Sequence, residues 1–339
     1  MSKQITVSGE IVRSYLEKFP DSPSKTLANL IYKENKTVFN TPETVRSAIR
    51  RWRGASGNIA RAEVTDKSHF RPHRTGADSF KKLPAGLTTL DNWKIVKITG
   101  NHNALILSDA HIPYYNKMAL GLAVDKADEF DIDLVILNGD WADHFSISRW
   151  QKDPRQRNFP EEIKTVVLSL EWIREVFPKA RIVYKLGNHE ERFQNYMELK
   201  APELLGIPDF ELYNVFKLKD YDIELVDEKK PIKLNELFVI HGHEYSFNIS
   251  NPVNPARGLF LRAKVNAICG HFHQSSAHSE NNIEDKFTGC WSMSHLGEEH
   301  PKYMPLNKWN LGFAIVEMSG IKHFQVHNYK IMDNEVFRA

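Results

Sequence analysis

Two rhythms of hydrophobic residues divide the chain. Up to about residue 57 they recur at helical spacing. "IVRSYLEKF" puts Ile11, Tyr15, Leu16 and Phe19 on one face after an opening at Ser8-Gly9-Glu10, and Pro20 stops that helix. A second helix starts near Ser24 with Leu27, Leu30 and Ile31 as its stripe. In "NTPETVRSAIRRWRG", Val45, Ala48, Ile49 and Trp52 fall at i, i+3, i+4 and i+7. Thr41 there suits the N-cap, Pro42 the first turn and Gly54 the stop. The pattern predicts a small all-α domain of three helices over 1–57. Residues 58–90 are turn-rich and weakly periodic, and read as a linker.

From about residue 91 the period changes. "ALILSD" (104–109), "LVILNGD" (134–140), "RIVYKLGN" (181–188), "LFVIHG" (237–242) and "NAICGH" (266–271) are short apolar runs of strand type. Residues 117–130 and 161–177 between them have helical spacing. This alternation predicts an α/β domain over 91–339, with helices flanking a core sheet. No apolar run has membrane-spanning length, and the first twenty residues lack the apolar core of a signal peptide. The expected location is therefore cytoplasmic, without membrane association. Only two cysteines occur, Cys269 and Cys290, with no CxxC pairing, which argues against a cysteine-based metal site.

Each of the five apolar runs ends in residues that can bind metal. They are Asp109-Ala110-His111, Gly139-Asp140-Trp141-Ala142-Asp143, Gly187-Asn188-His189-Glu190, His241-Gly242-His243 and Gly270-His271-Phe272-His273. Ligand sites in α/β proteins gather beyond the carboxyl ends of strands, where loops unite distant residues. Glycine at most of these turns is expected to let the backbone bend sharply. One such pair alone is commonly an ordinary turn, whereas five in series point to a metal centre. Mixed Asp, His and Asn donors suit manganese, iron or zinc better than calcium.

In that order, D-x-H, G-D-x-x-D, G-N-H-E, H and G-H-x-H resemble the motifs of the calcineurin-like metallophosphoesterase superfamily, over roughly residues 95–330. "TGCWSMSH" and "LNKWNLGFAIVEM" are similar to C-terminal segments of phosphoesterases encoded by phages and prophages. The resemblance implies a β-sandwich flanked by helices, and two divalent cations: manganese first, with iron, zinc or magnesium as alternatives. It implies that Asp109, His111 and His273 hold one cation, that Asn188, His241 and His271 hold the other, and that Asp140 bridges them. A hydroxide between cations about 4 Å apart would attack phosphorus. His189 would stay off the metals and protonate the leaving oxygen. Asp143 and Glu190 are expected to orient their neighbours rather than ligate. His243 either faces the phosphate or caps its loop, and Arg192 either reaches the phosphate or is a surface arginine of a helix.

Composition is ordinary for a globular protein, at 41% hydrophobic and 26% charged residues, and the net charge is only +2. Its distribution changes the picture. Residues 1–57 hold ten basic and five acidic side chains, a local +5, which leaves the remainder near −3. Arg46, Arg50 and Arg53 repeat along one face of the third helix, with Arg51 beside them. The segment therefore reads as a helix-turn-helix whose 41–53 helix meets DNA. The leading expectation is a DNA-directed phosphodiesterase or nuclease, with loops 144–160 and 244–262 lining its groove. The alternatives are a phosphomonoesterase acting on phosphoproteins or nucleotides, and a non-catalytic DNA-binding regulator. The second of these conflicts with the full set of ligand positions.

Overall fold

The computed structural model describes residues 6–64, 66–71, 83–88, 93–150, 155, 158–227, 229–245, 253–320 and 322–339. The chain divides into two compact units, Met1–Thr88 and Thr89–Ala339.

In the first unit, α1 (Val7–Lys18), α2 (Ser24–Glu34) and α3 (Pro42–Trp52) enclose Val12, Leu16, Leu27, Ile31, Phe39, Val45 and Ile49. Thr41 caps α3 by accepting from Thr44 N–H at 3.2 Å, and Gly54 follows it at φ +69°. Two expectations need correction. The stretch read as a linker begins with a fourth helix, α4 (Asn58–Glu63). Arg61 on this helix donates to Gly54 O at 2.8 Å and lies over the Phe70 ring, so local polar and cation–π contacts order what periodicity could not. Residues 65, 72–82 and 89–90 of that stretch lie outside the described residues. The second correction concerns Arg53, which is only 4% exposed. Its guanidinium donates to Ser24 Oγ and Pro20 O, which ties the α1–α2 turn to the end of α3. It therefore leaves the arginine face. Arg50 and Arg51 are exposed and Arg46 half-buried; Arg46 pairs with Glu43 and Arg51 with Glu63.

The second unit has two sheets. One contains β2 (Asn103–Leu107), β3 (Leu134–Asn138), β4 (Arg181–Lys185) and β5 (Ile223–Val226), all parallel. It continues on the other side of β2 through β11 (Leu311–Ser319), β12 (His323–Met332) and β13 (Glu335–Arg338), all antiparallel. The other sheet runs β1 (Val96–Ile98), β6 (Ile232–Leu234), β7 (Leu237–Ile240), β8 (Ala267–Cys269), β10 (Phe287–Ser292) and β9 (Ser276–Asn281).

The unbroken apolar runs have a simple cause. Along β2 and β3, Leu105, Leu107, Val135 and Leu137 pack under α5 (Lys117–Ala127) and α6 (Phe159–Val176). Their neighbours Ala104, Ile106, Leu134 and Ile136 point the other way, against Ile232, Val239 and Ile268 of the second sheet. Both faces are buried, so no position alternates to polar. The sandwich implied by the motif resemblance is present, with helices on the outer face of the seven-stranded sheet. Three further helices complete the unit: α7 (Glu191–Lys200), α8 (Leu212–Val215) and α9 (Pro255–Ala263). Among the described residues no helix is long and apolar enough to cross a membrane.

Candidate metal centre

Both sheets deliver residues to one place. The loops after β2, β3 and β4 carry Asp109 and His111, Asp140 and Asp143, and Asn188, His189 and Glu190; α7 adds Arg192. The loops after β7 and β8 bring His241 and His243, and His271 and His273, from the opposite sheet. The first two loops stay registered beyond their strands: Asp109 N–H donates to Gly139 O and His111 N–H to Asp140 O.

Left-handed backbone recurs among the site residues. Asp109, His111, Asp140, His271 and His273 all have φ between +50° and +69°. Such conformations are uncommon for residues with a side chain and mark positions held by their surroundings. Gly270 does not share that geometry, and the histidines themselves make the turn. What Gly270 supplies is room, because a Cβ there would lie 2.1 Å from Ser108 Oγ and 2.5 Å from Asp109 Oδ2.

Donor atoms converge in three overlapping groups: Asp109, His111 and His273; Asp140, His241 and His271; and His111, Asp140 and His189. His273 Nε2 lies 3.1 Å from Asp109 Oδ1 and 3.2 Å from His111 Nε2. His241 Nε2 lies 3.3 Å from Asp140 Oδ2 and 3.2 Å from Asn188 Oδ1. Two imidazole nitrogens and carboxylate oxygens aimed at a common point are the donor set of a cation site. The opposite ring nitrogen of His241, Nδ1, is 2.8 Å from Asn138 O, which orients the ring with Nε2 inward.

The sequence model of the family described as calcineurin-like phosphoesterase matches residues 102–287, more than half of the chain. The chain belongs to the calcineurin-like phosphoesterases. Metal-dependent hydrolysis of phosphoric esters is the chemistry of this family, and the convergent clusters agree with it. Among curated proteins the chain is similar to the Gene 54 protein of Mycobacterium phage L5, at 24% identity over 64% of this chain and 89% of that one. It is also similar to the Gene 54 protein of Mycobacterium phage D29, at 25% identity over 50% and 68% respectively. Solved structures that align with it include Vacuolar Protein Sorting 29 from Cryptosporidium parvum, at 13% identity, TM-score 0.38, and 70% and 96% coverage. The D62A mutant of Vps29 from Entamoeba histolytica aligns at 12% identity, TM-score 0.35, and 69% and 96% coverage.

The calcineurin-like centre also fits divalent cations by its charge. Asp109, Asp140 and Asp143 are buried carboxylates. Burial opposes their ionisation, yet surrounding imidazoles hold all three below the usual carboxylate range. His241 shows the other side of this balance: burial works against its proton, but Asp140 and Asp109 push it up to about 10. His271, desolvated and beside His241, is pushed down to about 4. The three carboxylates thus call for positive charge beside them. Divalent cations would take that place.

The surrounding residues sort clearly. Asp143 Oδ1 lies 3.0 Å from His111 Nδ1 and 2.8 Å from His189 Nδ1, so it orients both rings. Glu190 accepts from the N–H groups of Asp140, Ala142 and Gly187 and from the Tyr184 hydroxyl, tying the ends of β3 and β4 together. Arg192 is no free surface arginine: Nη1 donates to Asp143 O at 2.7 Å, and Nη2 is 2.6 Å from His189 Nε2. His243 turns from the clusters to Glu191, 3.0 Å away. His144, next after the second motif, is a core histidine among Phe159, Phe193 and Phe216, lowered to about 4 by burial. Sequence reasoning missed His295, which stacks on His273 at 4.8 Å with Trp309 edge-on to both. The "SMSH" string after β10 was its only trace.

Proposed function

We propose that the chain is a dinuclear metal-dependent phosphodiesterase that cleaves nucleic acid, DNA foremost. The observation that carries this reading is the abutting of two donor groups with His189 alongside. Asp109, His111 and His273 would hold one cation, Asn188, His241 and His271 the other, with Asp140 between them; manganese is the first choice. When bound, such cations polarise a phosphoryl oxygen and acidify a water. The protein does the rest. Asp143 fixes His189 through Nδ1, while Nε2 is covered by Arg192 Nη2 at 2.6 Å; once that guanidinium turns to the phosphate, Nε2 would face the leaving oxygen and serve as its proton donor. Arg192, against that same nitrogen, is positioned to turn its fork to the phosphate.

Two features support a polynucleotide substrate. The exposed arginines of α3 suit phosphate contact. A cavity of about 760 Å³ is walled by Trp93, Phe238, Ile240, Glu244 and Tyr245, with room for a base. Groove contributions from 151–154, 156–157 and 246–252 lie outside the described residues.

The test is a manganese-supplemented panel of single- and double-stranded DNA, RNA, bis-p-nitrophenyl phosphate and p-nitrophenyl phosphate. Diesters should be cleaved in preference to the monoester; the reverse order overturns the reading. His189→Ala should cost ~10²–10⁴-fold on DNA, typical of a lost general acid. It should cost less on the nitrophenyl diester, whose leaving group needs no proton. Replacing Arg46, Arg50 and Arg51 together by Gln should weaken DNA binding and lower its salt slope by up to about 3. Unchanged binding would remove the tether from the proposal.

A further inference from the structure

Lys185 is the last residue of β4 and is fully buried, which is exceptional for lysine. Its ammonium lies 2.7 Å from Glu244 Oε1 and donates to Lys230 O at 3.1 Å. Glu244 uses its remaining acceptor capacity on the metal loop. Oε1 accepts from His241 N–H at 2.9 Å and Oε2 from Gly242 N–H at 2.6 Å. Burial opposes its ionisation, but Lys185, with His243 and His241, holds it down to about 2.

The placement gives this pair a particular task. Lys185 stands three residues before Asn188 on the seven-stranded sheet, and Glu244 three residues after His241 on the six-stranded sheet. Asn188 Oδ1 and His241 Nε2 meet at 3.2 Å, so two donors to a single cation come from different sheets. The other set also draws on both sheets, Asp109 and His111 after β2 and His273 after β8, but Glu244 grips the backbone of the β7 loop alone. Asn138 adds a link by donating to Ile240 O at 2.9 Å, but that bond is neutral. We infer that the Lys185–Glu244 ion pair is a positioning device that sets the backbone of His241 against Asn188 and so governs the affinity of that cation selectively. This rests on the two-cation reading above. Neither residue touches the reacting atoms.

Manganese would be titrated calorimetrically into the full chain after chelator treatment, with thermal unfolding of the stripped protein measured in parallel. His241→Ala and His273→Ala identify which binding step belongs to which site. Glu244→Gln keeps the shape, and it should weaken the His241 step ~10–100-fold, the usual cost of losing a partner of a metal ligand. The His273 step should stay unchanged. Lys185→Met should act likewise, and Lys185→Arg, which retains the cation, should restore most of the affinity. The spin-coupled manganese pair at two equivalents should be lost by electron paramagnetic resonance in the first two variants. Equal weakening of both steps, or a lowered unfolding midpoint with unchanged manganese affinity, would show a merely structural bond and overturn the proposal. A wild-type chain that takes up fewer than two ions would instead overturn the two-cation reading beneath it.

Discussion

Asp140→Asn should leave the protein folded while nearly abolishing hydrolysis of any phosphoric ester. Asn fits the site and tolerates the left-handed backbone at φ +50° better than most residues. Its amide oxygen can still accept from His189 N–H, now 2.8 Å from Asp140 Oδ1. What disappears is a negative charge common to two of the three donor groups. Loss of several kcal/mol of transition-state charge stabilisation corresponds to a rate loss on the order of a thousandfold. Steady-state hydrolysis of bis-p-nitrophenyl phosphate, with manganese stoichiometry and a melting curve, reads all three properties. A drop below tenfold would show that Asp140 is not shared by the cations.

Gly187→Ala should be nearly as damaging although it removes no ligand. The added Cβ would sit 2.3 Å from Asp140 Oδ1 and 2.4 Å from Asp140 N. That backbone N–H and Gly187 N–H both donate to Glu190 Oε2, so neither chain segment can retreat alone. Overpacking of this kind costs ~1–3 kcal/mol of stability, and the forced shift also displaces the Asp140 carboxylate from the donor groups it belongs to. Gly121→Ala is the matched control: it lies in helix α5, and a Cβ there meets nothing within 4 Å. It should gain up to about 1 kcal/mol from helix propensity, with activity intact. Chemical denaturation and diester hydrolysis on both variants give the comparison. Equal behaviour of the two would refute the steric argument.

Much of the catalytic unit can be read from the chain because its signals are local. β2, β3 and β4 are buried on both faces and so appear as uninterrupted apolar runs, each followed at once by its metal-competent residues. The division of these residues between two sheets has no local signature. β7 and β8 look no different from β2 and β3 as strings, and only pairing over long sequence distances assigns them to the other sheet. The burial of Lys185 and Arg53 is hidden from the sequence for a related reason. A basic side chain reads as solvent-facing unless its distant partner is known, Glu244 in one case and the Pro20 carbonyl in the other. His295 likewise becomes notable only once the fold lays it on His273.

The left-handed backbone at Asp109, His111, Asp140, His271 and His273 bears on protein engineering. Each such residue carries a local penalty of ~1–3 kcal/mol that the surrounding fold must offset. The motif strings are therefore not portable. Spliced into an unrelated loop, "DAH" or "GHFH" would relax to ordinary conformations and scatter its donors. Grafting this centre requires the strand ends, the buried carboxylates that grip them and the glycines that leave room, transferred as one frame.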